Sequence, residues 1–186
     1  MKLRKAVYGD IEELMRVFSQ ARMAQRRAGF MQWDDGYPSA DVLRSDIDNS
    51  IGFVLDDCGK IAGYVAIATK DCEYDRHPEL WDVTASYAVL HRIALSDGYR
   101  GRRLSGELFD LAERHAFGKG ACFVRIDTGV ENKPMQHILS KRGYAKLGCV
   151  DFIWGERLAC EKPLVKDLET DPKLFPDFEG EGLSEP

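Results

Sequence analysis

The chain has no apolar run long enough to cross a bilayer. Its longest is IAGYVAIA, where a spanning helix takes about 20 residues. The N-terminal stretch MKLRKAVYGDIEEL has no apolar segment behind its charges, so no signal peptide is expected. Positive charge is also scarce: the formal net charge is -5, which argues against a broad nucleic-acid surface. The five cysteines are odd in number and form no CxxC pair. They read as reduced, mostly space-filling thiols of a cytoplasmic protein. The four histidines show no HExxH spacing, so no metal site is expected. There are no internal repeats, no GxGxxG and no GK[ST], which removes the two commonest phosphate loops. What is left is an ordinary globular balance, 44% hydrophobic and 31% charged over 186 residues, enough for one domain with a full core.

Periodicity supplies the elements. LRKAV reads as a strand. Ile11, Leu14, Met15, Phe18, Ala21 and Arg22 then recur at helical steps, with Asp10 placed to cap and Gly29 to end the helix. QWDDGYP is a turn-rich loop, and Ser39 caps a second helix, ADVLRSDIDN. IGFVLDD and KIAGYVAIA form a hairpin around Gly59, residues 71–83 read as a polar loop, and SYAVLHRIAL is a strand. A helix carrying Leu104, Leu108, Leu111, Ala112 and His115 closes at Gly118. Then come the strand ACFVRID, a helix over residues 132–141, and two strands in YAKLGCVDFIWGERLACEK. The order β-α-α-β-β-β-α-β-α-β-β predicts an α/β fold. Its sheet is mixed and mostly antiparallel, with helices on both faces and the fifth strand parallel to the fourth through a right-handed crossover. Residues 1–164 form the domain. The acidic, turn-rich residues 165–186 form a loosely attached tail, with Leu174, Phe175 and Phe178 as its docking candidates.

The stretch DGYRGRRLSG sits at the mouth of the third helix. Unpaired N–H groups and the positive end of the helix dipole suit an anion there. Gly101 permits close backbone approach, while Arg100, Arg102 and Arg103 add donors suited to phosphate, a pyrophosphate above all. The plainer alternative is a solvated basic helix start.

A strand, an Arg/Gly turn, an amphipathic helix, and a strand followed by an asparagine and a Gly-aromatic pair together resemble the GNAT superfamily of acyl-CoA-dependent N-acetyltransferases. The R-x-x-G-x-G/A signature falls on Arg100 to Ser105, with Arg103 and Ser105 at its fourth and sixth positions. The later element falls on Asn132, Leu139, Lys141, Gly143 and Tyr144, and the resemblance covers roughly residues 2–162. It implies acetyl-CoA as cosubstrate, its pyrophosphate held by N–H groups of Gly101, Arg102, Arg103, Leu104, Ser105 and Gly106. It also implies that Ile93, Ala94 and Leu95 bind pantetheine through their backbone where the fourth and fifth strands splay, with Asn132 on the cofactor arm.

Acetyl transfer needs a neutral amine, a polarised thioester and a stabilised thiolate. Asp127 ends the fifth strand at the register where a related bacterial acetyltransferase of ribosomal-protein N-termini carries its catalytic glutamate; otherwise it caps the turn with Thr128. An unperturbed imidazole titrates near neutrality, and His91 either points into the cleft or is a satisfied sheet histidine. The family often places a tyrosine acid seven residues after the asparagine. Leu139 stands there, leaving Tyr144 and Ser140 as nearby hydroxyls. Trp33 and Tyr37 offer an acceptor wall, with Asp34 and Asp35 to attract a cation, or else Trp33 plugs the core. Arg157 either faces a carboxylate or decorates an edge strand. The expected function is transfer of acetyl from acetyl-CoA to a primary amine of a small molecule or peptide, by a monomer or homodimer with no nucleic-acid or membrane partner. The alternatives are a protein N-terminal or lysine acetyltransferase, and an acyl-CoA-binding module without turnover.

Overall fold

Seven strands form one sheet in the order β1-β2-β3-β4-β5-β7-β6 in the computed structural model, which describes residues 1–82, 84–101 and 104–164. The expected tail and the expected anion ligands Arg102 and Arg103 lie outside the described residues. The strands are β1 (Lys2–Lys5), β2 (Gly52–Asp57), β3 (Lys60–Ala68), β4 (Tyr87–Leu95), β5 (Phe123–Thr128), β6 (Ala145–Phe152) and β7 (Gly155–Pro163). The helices are α1 (Ile11–Arg27), α2 (Ala40–Asp48), α3 (Leu104–Gly118) and α4 (Lys133–Lys141). Every strand pair is antiparallel except β4 with β5, as the element order predicts. Among the described residues no helix is long and apolar enough to cross a membrane.

Alternation along the strands divides the core. Phe53, Leu55, Val65 and Ile67 meet Leu108, Phe109 and Ala112 of α3 and Leu139 of α4. Val54, Tyr64 and Ala66 point the other way, onto Leu14 and Phe18 of α1 and Leu43 of α2. These two helices leave the far half of their face uncovered, and the segment before β4 fills it. Tyr74 stacks on Trp81 at 4.9 Å and on Phe152 at 5.0 Å, above Val89 and Ala159. Residues 71–82 are therefore more than the polar loop expected: Tyr74 and Trp81 anchor them in the core.

Local details correct two further expectations. Asp10 does not cap α1 with its side chain; it accepts from Arg4 at 2.8 and 2.9 Å and from the Val7 N–H at 2.8 Å. Only Cys160 is a buried space-filler, its thiol pushed up to about 11 by burial, whereas Cys58, Cys72, Cys122 and Cys149 are exposed. Ser39 caps α2 as expected, accepting from the Val42 N–H at 3.3 Å.

Candidate active site

The site begins as a defect in the sheet. His91 pairs with Ala66 and Ala94 with Tyr64, so Arg92 and Ile93 together face Val65 alone, which is a β-bulge. Arg92 takes φ 54, a left-handed conformation that costs a non-glycine residue energy. Its guanidinium offsets that cost by gripping both carboxylate oxygens of buried Asp46 on α2, at 2.7 and 2.8 Å. Tyr64 donates to the same carboxylate at 2.6 Å, and Arg92 donates to the Tyr37 hydroxyl at 3.1 Å.

Just before the bulge, β4 leaves β5. The parallel ladder ends at Val89 and Arg125, although β4 runs on to Leu95 and β5 to Thr128. Backbone groups of Leu90 to Leu95 thus have no β5 partner in the ladder, and a cavity of about 960 Å³ opens between the strands. Phe109, Pro134, Met135 and Ile138 give it an apolar wall; Arg100 and Ser105 line the end next to α3. Arg100 is held by Asp97 at 2.9 Å and by the Leu95 carbonyl at 3.3 Å, and Gly101 takes φ 74. Leu104 and Gly106 adjoin this wall in the chain without lining it, whereas Ile93, Ala94 and Leu95 do line it.

A row of charged and polar groups crosses the sheet at the cavity. His91 Nε2 lies 2.9 Å from Asp71 Oδ2, Tyr74 donates to Asp127 Oδ1 at 2.7 Å, and Arg157 Nε lies 3.3 Å from Asp127 Oδ2. Burial works to raise the Asp71 carboxyl. Hydrogen bonds from His91 and from the N–H groups of Glu73 and Tyr74 bring it below its ordinary value instead. Ionised Asp71 only accepts, so Nε2 carries a proton, and in the neutral ring Nδ1 is the acceptor. Nδ1 has no partner among the described residues. Burial and the adjacent Asp127 push the Tyr74 phenol far above its ordinary value, so Tyr74 acts as a fixed donor.

Of the sequence candidates, His91, Asp127, Ile93, Ala94, Leu95, Arg100, Ser105, Asn132, Trp33 and Tyr37 line this one cavity. Asn132 also caps α4, accepting from the Met135 N–H at 3.1 Å and donating to Gln32 at 2.8 Å. Trp33 is both wall and plug, edge-on to Phe18 at 5.5 Å. Tyr144 is elsewhere: it is buried and donates to Glu113 at 3.0 Å, with Arg142 and Lys162 on the same carboxylate. Leu139 is core, 1% exposed. Asp34 turns back onto the N–H groups of Gly36 and Tyr37, and Asp35 pairs with Arg26 outside the cavity. Arg157 faces a carboxylate, that of Asp127, from an inner strand.

Sequence reasoning missed Asp71, Tyr74, Arg92 and Gln32. The Gln32 carbonyl oxygen accepts from Thr128 Oγ1 (3.2 Å), the Gly129 N–H (3.1 Å) and Asn132 (2.8 Å), fastening the acceptor-side loop to the end of β5. The usable signal was His-Arg inside the otherwise apolar YAVLHRIAL, because two charged residues in a central strand mark a bulge or a site. Among the described residues no cluster of metal-ligating side chains occurs.

The fold as a whole recurs in known proteins. An acetyltransferase of the GNAT family from Streptococcus agalactiae superposes with a TM-score of 0.74 and 31% identity, over 89% of this chain and 96% of its own. One from Listeria monocytogenes does so with 0.69 and 22%, over 88% and 94%. The yncA protein of Salmonella typhimurium, solved with its cofactor acetyl-CoA, gives 0.65 and 12%, over 89% and 95%. No curated protein matches the chain. The model of the acetyltransferase (GNAT) family spans residues 15–144, from α1 through the whole splayed region to the end of α4. With that span and the agreement in sequence and fold, the chain belongs to the GNAT acetyltransferase family.

Proposed function

We propose that the protein transfers an acetyl group from acetyl-CoA to a primary amine held in the cavity between the α1–α2 loop and the splayed strands. The splay itself carries this reading. A strand whose backbone lacks a β5 partner, beside an apolar wall and a helix mouth, suits an extended amide-bearing arm that ends in phosphates. The neighbour solved with acetyl-CoA supports the choice of ligand. In this reading Ile93, Ala94 and Leu95 pair with the pantetheine amides, Arg100 and Ser105 stand with the α3 N-terminus at the phosphates, and Asn132 flanks the arm. When bound, acetyl-CoA supplies an activated thioester.

The chain supplies the proton handling. His91 takes a proton from the amine at Nδ1, with Asp71 holding Nε2–H and stabilising the imidazolium. Asp127 is the weaker candidate for base, since both its oxygens already have donors; it serves to attract and orient the ammonium. The amine nitrogen gains the acetyl carbon as the C–S bond breaks. With Leu139 in the core and Tyr144 donating to Glu113, protonated His91 is the group left to return the proton. Release of free thiol from acetyl-CoA in the presence of a panel of primary amines tests the proposal. Amine-dependent release supports it. Tight binding of acetyl-CoA without release from any amine would make the chain a binding module.

A further inference from the structure

The charged groups lining the cavity show what the acceptor must bring. Each carboxylate there is already engaged: Asp34 with its own turn, Asp71 with His91 and the Glu73 N–H, Asp127 with Tyr74 and Arg157. Two of the cations are also matched, Arg92 by Asp46 and Arg100 by Asp97. The other two are not. Lys70 lines the cavity and has no partner among the described residues. Arg157 commits Nε to Asp127 and one terminal nitrogen to the Glu156 carbonyl at 3.2 Å, which leaves the rest of its fork open.

The unmet charge lining the cavity is therefore positive, carried by exposed Lys70 and half-buried Arg157, and its Lys70 end lies away from the cofactor phosphates of the reading above. Lys70 follows Ala68, which pairs with Val89. That register is about 20 Å of strand before Leu95, where β4 turns toward the α3 mouth. Building on the amine acetyltransferase reading, we propose that the acceptor carries a carboxylate as well as its amine, as an amino acid does, and that Lys70 and Arg157 receive that carboxylate. The amine end then lies toward His91 and Asp127. Arg157 is suited to the task because a guanidinium can hold two carboxylates on different edges, one of them its own protein's. A purely cationic amine would find no unengaged carboxylate among the described lining residues.

Two measurements test this. The first compares acetylation of free amino acids with that of their primary amides and decarboxylated amines. The carboxylate-bearing member should be favoured about tenfold to a hundredfold in kcat/KM, and Lys70→Ala should erode that preference while leaving the KM for acetyl-CoA unchanged. Equal use of the three forms, or a preference unmoved by Lys70→Ala, overturns the proposal. The second holds even if no amine in the panel is turned over, which would be a failure of the enzymatic reading. N-acetylamino acids and their amides are titrated calorimetrically into protein saturated with coenzyme A. The acids should bind at least about tenfold more tightly, a margin lost in Lys70→Ala. Equal binding, or binding of neither, overturns the subsite.

Discussion

Two ion pairs join β5 to β7 on the same face of the sheet, two positions apart on β5, and they serve opposite ends. Arg125 pairs with Glu161 at 2.8 Å in the stretch where β4 still pairs with β5. It is completely buried: its guanidinium lies over the Tyr87 and Trp81 rings at 4.0 and 5.2 Å, and the Asp82 carbonyl accepts at 2.7 Å. Asp127 pairs with Arg157 at 3.3 Å where the ladder has ended, and both line the cavity. The residue types are nearly the same. Strand separation makes the difference, because it turns one charge pair outward to a ligand while its neighbour is sealed as structure.

The largest effect expected from the open region is on rate. His91→Gln should lower kcat/KM by about 10²–10⁴-fold with melting temperature and coenzyme A affinity little changed. Asp127→Asn should lose less than about tenfold and keep the acidic limb of its pH profile. If the magnitudes are reversed and the Asp127 variant loses that limb, the base is Asp127.

The sealed pair should instead show itself in stability. Arg125→Ala removes a fully buried cation, strands Glu161, and should cost about 3–5 kcal/mol in denaturant unfolding. Arg157→Ala should cost about 1–2 kcal/mol, since its site is open to water on one side. Equal costs would mean that the splay does not divide structure from function.

The cofactor end should respond in binding. Arg100→Ala should weaken coenzyme A by about tenfold to a hundredfold in calorimetry, the worth of one charge-assisted contact. Unchanged affinity would place the phosphates away from Arg100.

The same division explains what could be read from the sequence. Periodicity and turn residues suffice for every strand and helix in order, because each element buries one face and ends on a local signal such as Gly29 or Ser39. The cavity residues that sit on elements, among them His91, Asp127 and Asn132, follow from position along those elements. Asp71 and Tyr74 do not. They reach the site from a segment with no periodicity, placed by the stacking of Tyr74 on Trp81 and Phe152, which is a tertiary fact. Tyr144 illustrates the opposite error: it is close in sequence to the site, but the turn between α4 and β6 directs it toward Glu113.

The smallest expected effect lies on the face away from this charged row. His115 on α3 packs against the Phe53 ring at 4.4 Å. Burial first, then the positive charges of Lys119 and Lys5, hold its pKa below the ordinary 6.5. Above 6.5 the ring is neutral in folded and unfolded chains alike and contributes no pH slope. As the pH falls through 6.5 the unfolded chain takes up a proton that the folded chain refuses, so stability declines until the folded value is passed. Unfolding free energy should therefore drop as the pH falls through 6.5, and the drop should be shallower in His115→Gln. The quantity to compare is the slope, because the variant also loses ring packing against Phe53 and starts from a lower stability. Parallel slopes in the two proteins would mean that His115 titrates alike in both states. Acid sensitivity would then belong to carboxylates such as Asp71, which hydrogen bonds hold below its ordinary value in the folded chain.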